Sequence, residues 1–420
     1  MAKLGLCLSG GGAKGAYEIG VYRALRRLKK NPEIVTGTSV GAINGLLIVQ
    51  GDLYKSVKLW TNMTFGKIYD EDSFPECDDM KIAEIYKQYA KAFIHEGGIN
   101  INKLIDTFDE YYHSKKFFSS PIDYGLVTYN LTKHKPVMIT KKDLKPEMVK
   151  DYVIASASCF PAFKPYNIGG DNYIDGGYYD NLPINLAVEM GADEIVAVDL
   201  RAVGFKKAID GDVPVLTITP RNKIVSFLVF DKDKCTQAMH FGYNDTMKIY
   251  GRLDGDKFTF KKGNLVKNYN KYSRKFENSI RCIFDNVNSK IVSKIISTPA
   301  IREYLNNKLS YRNFNKLVEK AGFCFDFQED IIYNIKTYNK RLFNELLKTS
   351  PINKKAIATK IKNKNLKKIL DKKQIIRYFY ENIIKDNAKE IYVYIPLFID
   401  EFMVALYISV IKGRKKLIDT

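Results

Sequence analysis

The sequence predicts an α/β fold with a mainly parallel sheet over its first half, followed by an all-α helical region. Three observations carry this. Short apolar runs alternate with helical patterns from residue 3 to about residue 219, the pattern of strand–helix–strand units. Two of the strand-to-helix turns are glycine-rich, at Gly10–Gly15 and Gly37–Gly41. Beyond residue 225 the apolar residues recur every three or four positions with no repeat of fixed period, which points to a helical bundle and away from a solenoid.

The elements follow in order. Residues 3–8 (KLGLCL) form a buried strand, and Val21, Ala24, Leu25 and Leu28 mark one face of the next helix. Arg26, Arg27, Lys29 and Lys30 suit the end of that helix, and Pro32 stops it. Glu33–Thr36 is a second strand; Val40–Val49 is apolar nearly all round and so reads as a buried helix. Residues 52–120 are irregular, with an acidic, breaker-rich loop from Asp70 to Asp79 and helical spacing over Ile99–Tyr111. Strands are expected at Tyr124–Leu131, Pro136–Thr140, Tyr173-Ile174, Glu194–Leu200 and Val213–Thr219, and helices at Met148–Ser156 and Ile184–Met190. In the second half, helical spacing runs from Tyr269 to Ile295 and from Leu366 to Ile383. Loops are expected at Asp254-Gly255-Asp256 and Lys261–Asn264. We divide the chain into residues 1–235 and 236–420.

The charge is distributed unevenly. The 420 residues hold 67 Lys+Arg against 47 Asp+Glu, a net charge of +20. Residues 1–220 carry 26 basic and 27 acidic side chains, so the whole excess lies in the second half. A neutral half joined to a basic half suggests a chemistry module and an anion-facing module. The 45% hydrophobic and 27% charged fractions exclude a wholly disordered chain and a polytopic membrane protein.

Six scattered cysteines form no CxxC pair and no zinc-like cluster, so reduced thiols and no metal or other cofactor are expected. The N-terminus runs straight into a strand without the pattern of a secretory signal, which gives a cytoplasmic location as the expectation. Ile391–Ile411 is apolar but for Pro396, Asp400, Glu401 and Ser409. Two carboxylates at its midpoint would be costly in lipid, so it reads as a buried helix and not a membrane span.

Three motifs bear on chemistry. Gly10-Gly11-Gly12-Ala13-Lys14-Gly15 joins a strand to a helix, where backbone N–H groups and the helix dipole favour an anion. Its spacing also fits a dinucleotide loop, but the next strand ends in Thr36-Gly37-Thr38 without the acid that such a site needs. Gly37-Thr38-Ser39-Val40-Gly41 is a G-x-S-x-G between strand and helix, the arrangement of a nucleophile elbow. Asp175-Gly176-Gly177 follows a strand and is also a good turn. None of His95, His113, His134 and His240 has a setting suited to a Ser-His-Asp triad. Asp175 is therefore the candidate to act directly on Ser39.

Taken together, these motifs resemble the ordered signature of patatin-like phospholipases over roughly residues 3–220. Ala155-Ser156 before Pro161, Asn181-Leu182-Pro183, and Gly191-Ala192-Asp193 before a strand add to the resemblance. It implies a three-layer α/β/α domain and a Ser-Asp dyad, with Ser39 as nucleophile and Asp175 as proton acceptor. It also implies an oxyanion hole built from the backbone of Gly10, Gly11 and Gly12, with Val40 N–H as a further donor. Lys14, Gly15, Gly37, Gly41, Gly176 and Gly177 complete the motifs. Lys14 stands where the family often has Arg; it keeps the charge and loses the planar fork. The implied activity is hydrolysis of carboxylic esters of lipids or phospholipids. An acyltransferase or thioesterase with the same dyad, or a non-catalytic anion- or nucleotide-binding protein, are the alternatives.

Lys354–Lys373 holds nine lysines against Asp371. It reads either as a solvated helical face or as a surface that docks peripherally on anionic membrane. Nucleic acid is not an expected partner, because the aromatic residues sit at helical core spacing.

Overall fold

The computed structural model describes residues 2–69, 82–285, 309–362 and 371–413. These fall into two units, Met1–Ile249 and Tyr250–Thr420.

The first unit is built on an eight-stranded, mostly parallel sheet. In chain order its elements are β1 (Leu4–Leu8), α1 (Ala16–Arg27), β2 (Ile34–Thr38), α2 (Val40–Val49), α3 (Leu53–Thr61), α4 (Ile82–Glu96), α5 (Asn102–Tyr111) and α6 (Ser114–Ser119). They continue as β3 (Asp123–Asn130), β4 (Lys135–Thr140), α7 (Val149–Ala157), β5 (Tyr166–Ile168), β6 (Asp171–Asp175), α8 (Ile184–Glu189), β7 (Glu194–Val198), β8 (Val215–Ile218) and α9 (Lys232–Ile249). β1 is buried along its whole length and pairs in parallel with β2 and β7. Its alternating side chains feed two helical layers. Cys7, with Ile34 of β2 and Ile195 of β7, packs on Ile184 and Ala187 of α8. On the opposite face, Val35 and Tyr124 lie against α2 at Gly45.

The registers around β3 position everything that follows. β2 pairs with residues 123–127 in parallel, β6 with residues 128–130 in antiparallel, and β4 runs along residues 125–130. A strand has two hydrogen-bonding edges. β4 holds one, so β2 and β6 share the other and meet end to end, with Thr38 opposite Val127 and Asp175 opposite Thr128. Two strands running in opposite directions thus bring their C-terminal ends together.

α9 crosses residues 235 and 236, where the sequence suggested dividing the chain. It packs on α1 at unusually short range: a Cβ on Gly20 would lie 2.0 Å from the Met239 carbonyl, and one on Gly242 would lie 2.0 Å from the Tyr17 carbonyl. The glycines allow two helix backbones to touch, which ties α9 to the sheet domain.

The second unit is largely helical: α10 (Asn264–Asp285), α11 (Tyr311–Cys324), α12 (Ile335–Lys348), α13 (Lys354–Lys362), α14 (Lys372–Ile384) and α15 (Ile399–Lys412). Its core is aromatic, with Phe276, Phe314, Tyr338 and Tyr407 fully buried. Tyr407 keeps its hydroxyl satisfied there, accepting from Asn268 at 3.0 Å and donating to Asn339 at 2.8 Å. The unit is not all-α. Leu253–Asp254, Thr259–Lys261 and Ile332–Tyr333 form a three-stranded sheet. Strands of two or three residues are too short to show an alternating pattern, and the loops expected at Asp254-Gly255-Asp256 and Lys261–Asn264 overlap two of them.

The apolar stretch from Ile391 is interrupted at Pro396, and its helix begins at Ile399 with Phe402–Val410 buried. No helix among the described residues is long and apolar enough to cross a membrane. The acidic loop at 70–79, the apolar positions 287–295 and lysines 364, 367 and 368 lie outside the described residues.

Candidate active site

Ser39 stands between β2 and α2 with φ 58° and ψ −126°, a backbone conformation that side-chain-bearing residues seldom adopt. The turn is tight for a visible reason. A Cβ on Gly37 would lie 2.2 Å from the Gly41 carbonyl, and one on Gly41 would lie 2.4 Å from the Leu8 carbonyl. The sharp turn presents the side chain at the N-terminus of α2, where the helix dipole favours negative charge. The Ser39 N–H donates to Ser156 Oγ at 3.0 Å, and Ser156 in turn donates to the Val127 carbonyl at 2.6 Å.

Asp175 ends β6 and caps the short turn Gly176–Tyr178. Its N–H donates to the Ser158 carbonyl at 2.9 Å, and its Oδ1 accepts the Gly177 N–H at 2.7 Å. The Gly176 carbonyl accepts the N–H groups of Tyr179 and Asp180 and closes the turn. Burial pushes the Asp175 carboxyl up to about 6, against hydrogen bonds from Ser39 and Gly177 that draw it down. Ser39 and Asp175 are therefore brought together at the junction of β2 and β6.

The glycine loop lies beside them. Gly11, Gly12 and Val40 N–H have no acceptor among the described residues. Gly10 differs from expectation: its N–H donates to the Asn181 carbonyl at 3.0 Å, so it is not a free oxyanion donor. Gly10 instead anchors the loop to the Asn181-Leu182-Pro183 segment. The Asn181 N–H donates to the Phe205 carbonyl at 2.6 Å, and the Phe205 N–H to Gly177 at 2.9 Å. Asn181 thus ties the glycine loop to the Asp-Gly-Gly turn. Lys14 lines the same cavity, its Nζ 3.4 Å from the Leu200 and Arg201 carbonyls, and desolvation lowers its pKa.

Behind the loop lies a buried polar group that the motifs did not reveal. Asn44 Nδ2 donates to the Gly15 carbonyl at 2.9 Å and to Glu18 at 2.8 Å, while Trp60 Nε1 donates to Asn44 Oδ1 at 2.9 Å. Burial holds the Glu18 carboxyl well above the usual carboxylate range, against the hydrogen bond from Asn44 that draws it down. Asp180 is a second buried carboxyl pushed up to about 6, but it accepts from the Leu182 N–H and does not line the cavity.

Ser39 and Asp175 open onto a cavity of about 1590 Å³. This exceeds the roughly 300–1,000 Å³ of common small-molecule pockets. Its walls include Leu46, Leu59, Met63, Leu104 and Phe108, a lining suited to an apolar chain. Residues 220–230 form another wall, and there the Phe227 carbonyl accepts the Ala13 N–H at 2.8 Å. Among the described residues no group of three or more His, Cys, Asp or Glu side chains is placed to hold a metal ion.

The family model for patatin-like phospholipase matches residues 6–188, which contain both candidate residues and the glycine loop. Residues 6–188 are a patatin-like phospholipase domain. Among curated relatives, lysophospholipase nte1 of Aspergillus terreus is 27% identical over 206 residues, covering 48% of this chain and 12% of that protein. Patatin-like phospholipase domain-containing protein 7 of Rattus norvegicus is 27% identical over 199 residues, covering 47% and 13%. The chain spans only about an eighth of the length of these relatives. Among solved structures, VipD from Legionella pneumophila aligns over 98% of this chain and 92% of that one, with a TM-score of 0.38 and 14% identity. The type III effector protein ExoU aligns over 93% and 80%, with a TM-score of 0.35 and 12% identity.

Proposed function

We propose that this chain is a serine lipid acyl hydrolase, and that its patatin-like domain cleaves carboxylic esters of lipids or phospholipids through Ser39 and Asp175. The observation that carries the reading is the strained Ser39 at the head of α2, in hydrogen-bond reach of a buried Asp175, on the wall of a large apolar cavity.

Asp175 takes the hydroxyl proton as Ser39 Oγ attacks the ester carbonyl. Its raised pKa makes it a stronger base than a carboxylate in water, and the bond from Gly177 fixes its orientation. The N–H groups of Gly11, Gly12 and Val40 receive the developing oxyanion. One such donor is worth about 10²–10³ in rate. Collapse of the tetrahedral intermediate breaks the ester C–O bond, and Asp175 returns its proton to the departing alcohol. Asp175 then takes a proton from water as it attacks the acyl-serine; collapse of this second intermediate breaks the acyl C–Oγ bond, Asp175 returns the proton to Ser39 Oγ, and the fatty acid leaves. The apolar walls hold the acyl chain throughout.

The test is labelling with a fluorophosphonate probe together with turnover of a short-chain nitrophenyl ester. Both are expected in the unsubstituted chain and absent from Ser39→Ala. Equal turnover by Ser39→Ala would remove Ser39 from the mechanism.

A further inference from the structure

Isolated exposed apolar side chains are ordinary, but a cluster around an opening marks a contact surface. Three separate elements contribute such side chains to the cavity rim. Phe93 of α4 is 41% exposed, Tyr178 of the turn after Asp175 is 42% exposed, and Val203 and Phe205 of the 201–212 loop are 100% and 69% exposed. Ile94, beside Phe93, is 74% exposed. The rim also carries cations. Arg201 and Lys223 form no salt bridge among the described residues, and Arg201 donates to Thr219 Oγ1 at 3.0 Å. Lys206, by contrast, is paired with Asp199 at 2.6 Å.

We propose that this rim docks on an anionic lipid bilayer. The proposal rests on the lipid-hydrolase reading and names the surface from which that substrate is drawn. Aromatic and aliphatic tips are favoured at the boundary between head groups and acyl chains, and unpaired cations beside them meet anionic head groups. The cavity opens between them, so an acyl chain leaving the bilayer enters along a continuous apolar path. Residues 1–220 are almost neutral overall, so on that half of the chain the rim cations do not belong to a general excess of positive charge.

The test uses the full chain carrying Ser39→Ala and co-sedimentation with vesicles of phosphatidylcholine, alone or mixed with phosphatidylserine. Tighter binding to the mixed vesicles is expected. Val203→Asp and Ile94→Asp, made singly, should each weaken that binding about tenfold. Lys223→Gln should weaken it about fivefold on mixed vesicles only. With Ser39 restored, Ile94→Asp, which lies outside the cavity lining, should hydrolyse a monomeric short-chain ester at the parent rate. Parent-like vesicle binding by both aspartate variants would overturn the proposal and assign membrane contact elsewhere in the chain. Absence of vesicle binding, or self-association lost in Val203→Asp, would overturn it as well, the latter in favour of a second copy of the chain. Failure of the unsubstituted chain to cleave the soluble ester speaks against the hydrolase reading alone, because co-sedimentation does not depend on turnover.

Discussion

The Ser156 hydroxyl accepts the backbone N–H of Ser39 at 3.0 Å while donating its one proton to the carbonyl of Val127 at 2.6 Å. A residue of α7 thereby fastens the strained turn to β3. All three groups are buried, so none can turn to solvent for a substitute partner.

Ser156→Ala is accordingly expected to act through Ser39. It leaves a buried donor and a buried acceptor without their partner, at a cost of about 1–3 kcal/mol. Turnover of the nitrophenyl ester should fall about tenfold or more with KM unchanged, because the nucleophile is misplaced and the cavity is intact. Initial-rate kinetics with a thermal melt will check this; parent-like turnover would show that the turn holds itself.

The pH profile should report Asp175. The residue acts as a base only when ionised, and burial pushes its carboxyl up to about 6. Ester hydrolysis should therefore be level above pH 7 and fall about tenfold per unit well below pH 6. A limb near pH 4 would mean that the acting carboxylate is one exposed to water.

Asp175→Asn should separate stability from activity. The folded chain favours the neutral acid, with a pKa of about 6 against an ordinary value near 4. Stability from this group is therefore present at low pH and lost as pH rises through 6. At pH 7.5 the ionised carboxylate costs about 2–3 kcal/mol, which asparagine removes while retaining an acceptor for Gly177. The variant should be inactive yet melt several degrees higher. At pH 4 the advantage should vanish.

Gly12 and Gly51 both have positive φ, 54° and 74°, but only Gly12 is crowded, with the Phe227 carbonyl 2.2 Å from the place of a Cβ. Gly51→Ala should cost about 1–2 kcal/mol and leave the rate unchanged. Gly12→Ala must displace the loop or the 220–230 wall, and should lower the rate at least a hundredfold. Paired melts and rates distinguish the two.

The residues that show in the sequence are those whose neighbours forbid alternatives. Gly37 and Gly41 flank Ser39 because backbone carbonyls occupy the space of any side chain, and such a constraint leaves a motif. The alternation of β1, α1, β2 and α2 was legible for a similar reason, since each is long enough to show its period. The bond that removes Gly10 from the oxyanion donors joins one backbone to another and leaves no mark in residue type. Glu18 sits at a helical position that composition alone would assign to solvent; only the fold brings Asn44 to it. Gly20 and Gly242 announce nothing singly, because their meaning lies in a contact between helices distant in the chain.

The end-to-end meeting of β2 and β6 along one edge of β3 also governs when the reactive pair comes into being. A growing polypeptide that has emerged as far as β3 already holds the serine, but the place beside it is empty until β6 arrives and docks. The anchor at Gly10 waits longer still, for Asn181 to follow. Nucleophile and base are thus joined only after synthesis has passed β6, and until then the cutting edge stays in two pieces.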